Sequence, residues 1–197
     1  MPDPATRERL LDAAWREVTD HGVDGLTLAA VGARAGVTRQ AVYLHFGNRA
    51  TLLVEMTARF DHTSGFRSGL AATRQLAPRD GFRRMLEMWF DYIPSILRVG
   101  LALEAASLTG GDGADAYRDR MRDWCEGIRV AIARLADNGE LSPLWDVDKA
   151  TDWAWASVHP TTFHHLTTER GWTRTETARR IIDALERELI HDDPDHS

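Results

Sequence analysis

The chain has 197 residues, room for one medium domain or a small domain joined to a larger one, and its 43% apolar and 27% charged content excludes wholesale disorder. A single cysteine excludes an intramolecular disulfide framework and a multi-cysteine zinc site. The net charge of −6 excludes attraction of polyanions through the overall field, and no apolar run approaches the ~18 residues of a membrane span.

In chain order, the apolar spacing is helical almost throughout. Leu10, Leu11, Ala14, Trp15 and Val18 gather on one helix face, with Asp3 placed to cap it and Pro4 in its first turn. Gly22 stands where that helix should end. Short helices are expected at Leu28–Ala35 and Arg39–His45, capped by Thr27 and Thr38 and joined by the tight turn Ala35-Gly36-Val37. Asn48 can cap a longer helix carrying Leu52, Leu53, Met56 and Phe60 on one side.

Later helices are longer and more apolar. Phe82, Met85, Leu86, Trp89 and Ile93 form one stripe, and Pro94 is expected to kink that helix or to start a second one, Ser95–Leu108. A loop follows at 109–113. Met121, Trp124, Cys125, Ile128, Ile132 and Leu135 then keep helical register up to Asn138-Gly139. A helix starting at Asp146 or Asp148 should run to about Thr168, interrupted by Pro160. Thr173-Arg174-Thr175-Glu176 reads as a capping box before the stripe Ala178, Ile181, Ile182, Leu185 and Leu189, and residues 191–197 form a polar tail. No period-two strand is apparent, so the fold class is all-α.

The informative segment is Thr27 to Leu53. Two short helices across a glycine turn form a helix-turn-helix, whose second helix enters the DNA major groove. Of the 24 basic residues only Lys149 is lysine; Gly25 to Val54 holds Arg34, Arg39 and Arg49 and no acid. Arg39 and Gln40 carry donors suited to guanine and adenine edges. Thr38, Tyr43 and His45 can bond phosphates, and Arg49 offers a charge beside free backbone N–H groups. A two-helix corner also occurs in proteins that never touch DNA, but the donor set and the acid-free window together favour DNA binding.

These runs carry a resemblance. Leu10-Leu11-Asp12-Ala13-Ala14, Gly22-Val23-Asp24-Gly25-Leu26-Thr27, Val31-Gly32-Ala33-Arg34-Ala35-Gly36-Val37-Thr38 and Val42-Tyr43-Leu44-His45-Phe46-Gly47-Asn48-Arg49 together resemble the N-terminal domain of TetR-type transcriptional repressors. The resemblance covers roughly the first 55 residues. It implies an all-α homodimer: a three-helix DNA-binding domain, a linking fourth helix, and a larger ligand-binding domain whose last two helices form a four-helix bundle with the partner. The boundary is accordingly expected between residues 1–47 and 48–197. It implies base-reading or groove-facing roles for Arg39, Gln40 and Tyr43, and phosphate contacts for Thr27, Thr38, His45 and Arg49. Arg49 stands where the family usually has lysine, and Ala50 where it often has an acid. Gln40 and Ala41 fall where members differ, so no operator sequence follows.

In the larger domain, Trp89, Tyr92, Trp124, Trp155 and Phe163 are candidate pocket residues, with Glu104 and His159 as polar anchors. Aromatics at helical spacing also simply fill cores. His159, His164 and His165 sit at offsets that scatter around a helix, so no metal is expected. Cys125 lies on an apolar stripe and reads as a buried thiol. No catalytic spacing emerges; neither cofactor nor enzymatic activity is expected. The polar start and lone cysteine suit a cytoplasmic protein without a leader. The partners expected are double-stranded DNA with a palindromic site, an unidentified small-molecule effector and a second copy of the chain. A charge at Ile182 or Leu185 should disrupt that dimer. The rival readings are an all-α enzyme or small-molecule carrier with an incidental helix-turn-helix, and a protein-interaction module.

Overall fold

The structure, a computed structural model, describes residues 3–110 and 114–191. The expected loop is therefore seen only at 109–110 and the tail only at His191; their remainders lie outside the described residues. Among the described residues ten α-helices run in order: α1 Pro4–Gly25, α2 Leu28–Ala35, α3 Arg39–Phe46, α4 Arg49–Thr63, α5 Phe66–Thr73, α6 Pro78–Leu108, α7 Ala114–Asp137, α8 Val147–Ser157, α9 Pro160–His164 and α10 Arg174–Leu189. A π-helical turn, His165–Glu169, follows α9. Among the described residues the only β feature is one isolated antiparallel bridge, Leu141 with Ile190. No described helix is long and apolar enough to cross a membrane.

Caps set most of the helix starts. Asp3, Thr27, Thr38, Asn48, Asp146 and Thr173 each accept a backbone N–H two or three residues on, satisfying donors that a first turn leaves open. Gly22 adopts φ 76°, ψ 174° and breaks the helical path within α1, as its position suggested.

Two elements depart from the sequence reading. α6 is one 31-residue helix that continues through Pro94, so of the two alternatives at that proline the start of a second helix is not the one adopted. Proline removes one hydrogen bond from the ladder, but Ile93 and Ile96 are buried on either side of it and hold the helix in place. α5 was not foreseen; its eight residues include two alanines and a glycine, too few apolar side chains for a stripe.

The chain forms two compact units. One comprises Met1–Ser64 with Ile96–Arg120, the other Gly65–Ser95 with Met121–Ser197. In the first, α1 packs on α2 and α4, and α3 packs on α2 and α4, around Leu10, Leu26, Val31, Val42 and Leu52. Trp15 stacks on Phe60 at 3.9 Å, and the carboxylate of Asp61, itself buried, pairs with Arg120. In the second, α8 packs on α10, and the stripe Ile182, Leu185 and Leu189 is buried inside the chain. Arg83 of α6 ties to Asp183 and Glu186 of α10.

Candidate functional site

The α2–α3 corner is held by backbone chemistry. Gly36 takes the left-handed conformation, φ 71°, that lets its N–H reach Ala33, while the Val37 N–H donates to the Gly32 carbonyl at 2.8 Å. Gly32 is buried; a Cβ there would lie 2.9 Å from the Val37 oxygen and 3.2 Å from that of Thr38. The absence of a side chain lets the turn close this tightly.

α3 is seated by Val42 and Phe46, four residues apart and both buried, with the Arg7 guanidinium 5.4 Å from the centre of the Phe46 ring. The opposite face carries Arg39, Gln40 and Tyr43, all exposed. No acid among the described residues pairs with Arg39. Leu44, 68% exposed, joins them, an apolar side chain that a search for hydrogen-bond donors does not single out. An exposed leucine can give apolar contact to a thymine methyl in the major groove.

Thr27 and Thr38 accept N–H bonds from Ala30 at 3.0 Å and Ala41 at 3.2 Å, which leaves each hydroxyl hydrogen able to donate to an anion at the helix start. His45 is half-buried, and its Nδ1 is buried without a hydrogen-bond partner among the described residues.

The three arginines of the acid-free window have different surroundings. Arg34 pairs with Glu17 and with Asp20, both on α1, the latter at 2.8 Å. That pairing holds the Glu17 carboxyl below the usual range, first through the Arg34 hydrogen bond and against the opposing effect of burial. Arg49 donates from Nε to the Leu26 carbonyl at 2.8 Å and from Nη2 to that of Val23. It closes the end of α1 with two of its five donors. The window thus contains fewer uncommitted charges than its composition suggests. Glu17 went unremarked, although it sits seven residues after Leu10, on the apolar face of α1, where an acid needs a partner.

The second unit gathers three of the candidate pocket residues. Trp89 stacks on Trp124 at 4.3 Å, and Tyr92 stacks on Phe66 at 4.1 Å, with the two pairs about 6 Å apart. Phe66 begins α5 and was not among the candidates. The Trp89 indole donates to the Val158 carbonyl at 2.8 Å. Phe163 is buried beside Phe90, 6.0 Å between centroids. Trp155 meets the edge of His159 at 4.8 Å, and His159 accepts the Thr161 N–H as the cap of α9. Glu104 lies in the first unit, where it adds to the effect of burial in raising the Tyr117 phenol above its usual range. Cys125 is half-buried; burial, then Asp152 and Glu126, favour its thiol form.

Known proteins share this arrangement. The family profile described as "Bacterial regulatory proteins, tetR family" matches residues 10–56, the span from α1 into α4. The HTH-type transcriptional regulator TtgR of Pseudomonas putida is 26% identical over 152 residues, 74% of this chain and 72% of its own. The structure of SmeT, the repressor of the Stenotrophomonas maltophilia multidrug efflux pump SmeDEF, superposes with a TM-score of 0.67 at 26% identity, covering 96% of this chain and 92% of that one. A Saccharomonospora viridis protein solved in complex with choline shares the fold with a TM-score of 0.80 at 20% identity, over 96% and 100% of the two chains. With its helix-turn-helix corner and its exposed donors on α3, the chain carries over residues 10–56 the domain of the tetR family of bacterial regulatory proteins, and it is a DNA-binding transcriptional regulator.

Proposed function

We propose that the protein is a cytoplasmic, ligand-responsive repressor that binds a palindromic operator as a homodimer. The observation that carries this reading is the outward face of α3: Arg39, Gln40 and Tyr43 exposed together, with Thr38 capping the helix and Leu44 beside them. Arg39 and Gln40 read base edges. Thr27, Thr38, Tyr43 and His45 fix register on phosphates, and Arg49 supports the end of α1 while offering its remaining donors to a phosphate. Two such helices must sit about 34–36 Å apart to enter successive major grooves.

Dimerisation is assigned to the last two long helices, α8 and α10. Because Ile182 and Leu185 are buried within the chain, a charge placed there tests the fold rather than the dimer. Trp153 of α8, 50% exposed, is the better probe. Trp153→Glu should shift the protein toward monomer in sedimentation while leaving its helical content unchanged.

The effector is assigned to the second unit. SmeT was also solved as a complex with triclosan, and the S. viridis protein was solved with choline; both support regulation by a bound small molecule. The effector must bind one dimer geometry more tightly than the other, and the coupling equals that difference. The protein acts by binding, not turnover.

Selection from random duplex DNA at moderate salt, with wild type beside an Arg39→Ala, Tyr43→Ala double variant, tests the central reading. Wild type should enrich a palindrome and the variant should not. Equal enrichment by both would remove α3 from base recognition. Arg39→Ala alone should relax preference at one position per half-site, at a cost of about 1–3 kcal/mol in discrimination.

A further inference from the structure

The second unit contains a cavity of 70 Å³ beside α5, α6 and α7, lined in part by Leu70, Arg74, Met85, Trp124, Gly127 and Arg134. Its chemistry is one-sided. No Asp or Glu is among its lining residues. The Trp124 side chain is nine-tenths buried, and its indole N–H has no hydrogen-bond partner among the described residues. Buried donors are ordinarily satisfied, so this one is open to an acceptor that the chain itself does not supply. Arg74 is exposed at the end of α5, and no acid among the described residues pairs with it. Arg134 places one donor on the Leu76 carbonyl at 2.8 Å.

Space is kept open by a residue that helices disfavour. Gly127 lies inside α7, and a Cβ built on it meets nothing within 4 Å. Glycine is the weakest helix former after proline, and alanine would fit here. Trp124, Gly127, Ala131 and Arg134 recur at spacings of three and four, so one face of α7 presents the donors and the gap together.

We propose that this cavity anchors the effector and that it takes the carboxylate of a small monocarboxylic acid. The carboxylate oxygens accept from the Trp124 indole and the Arg74 guanidinium, and the carbon stub packs on Leu70 and Met85. A volume of 70 Å³ is about half of the ~150 Å³ that holds benzene, so it suits a carboxylate group bearing one or two further carbons. The proposal rests on the reading that the second unit takes the effector.

Propionate is the probe, with propionamide and nitrate as controls at constant ionic strength, followed by calorimetry and by tryptophan emission. Propionate should bind saturably and change the emission. Propionamide, which lacks the charge, should bind at least about tenfold more weakly. Arg74→Gln should weaken propionate by a similar factor, and Gly127→Val should abolish binding by filling the gap; Ala131→Val serves if that variant does not melt cooperatively. Absence of saturable binding overturns the proposal, as does nitrate binding equal to that of propionate, or propionate binding unchanged in Gly127→Val. Propionate should also release selected operator DNA, and binding without release overturns the effector role. Failure of the protein to select any DNA would instead overturn the regulatory reading, which the propionate titration does not depend on.

Discussion

The helix-turn-helix corner and the aromatic second unit are both helical, yet they follow from the sequence in different ways. In the corner, α2 occupies Leu28–Ala35 as the spacing predicts, and α3 runs one residue past the expected His45. Thr27, Thr38 and Asn48 are the caps that the sequence proposed. Each determinant there is local: a side-chain oxygen meets an N–H three residues on, and a glycine turns the chain where φ must be positive. In the second unit the determinants are distant in sequence. Phe66 is ordered against Tyr92, 26 positions away, and Trp89 donates to Val158, 69 positions away. Short-range signals therefore located the corner, while α5 and the unbroken α6 depended on packing that no window of spacing contains.

Disruption should accordingly spread differently in the two regions. The largest effect is expected for Trp89→Ala, which removes a buried indole, its stack on Trp124 and the donor to Val158. Such truncations cost about 3–5 kcal/mol. For a chain of this size, this corresponds to a melting-temperature drop of roughly 10 °C. Calorimetry on a variant that melts within about 3 °C of wild type would show that the cluster is not a packed core.

Gly32→Val strikes the corner instead. Its Cβ would press on the backbone oxygens of Val37 and Thr38, which cannot retreat without moving the start of α3. Overpacking of this kind costs about 1–3 kcal/mol, less than the tryptophan truncation. The consequence for DNA should be the larger one: at a temperature where the variant remains folded, it should lose operator binding in a gel-shift assay. Retained binding would mean that the turn can widen without displacing the reading helix.

A matched pair of cap variants sharpens the contrast. Thr38 and Thr173 do the same job, each accepting an N–H three residues on, at 3.2 and 3.1 Å. Thr38→Ala and Thr173→Ala should each cost about 1 kcal/mol of stability. Only Thr38→Ala should also weaken operator binding, because its hydroxyl stands at the start of the helix that meets the phosphates. Equal losses of DNA affinity would reduce Thr38 to a structural cap.

The charges of the corner were less legible than its helices. Counting residues finds Arg34, Arg39 and Arg49 free of acidic neighbours in sequence, but α1 folds back to supply Glu17 and Asp20 to Arg34 and two carbonyls to Arg49. Tertiary contacts thus partition a local cluster of like charge: one arginine faces outward on α3, and the other two brace α1. The brace has a pH signature. Because Arg34 holds the Glu17 carboxyl below its value in the unfolded chain, folding favours the ionised form. The stabilisation is complete above the ordinary carboxyl range and is lost as the pH falls through the folded value, so the window lies below about pH 5. Glu17→Gln keeps the shape and removes the titration. Its unfolding free energy should start below that of wild type at neutral pH, and the difference should narrow as acid is added. Urea unfolding at a series of pH values reads this directly. Unfolding free energies that coincide with wild type from neutral pH into that acidic window would show that Glu17 braces the corner by shape alone, with Asp20 the acid that holds the Arg34 charge.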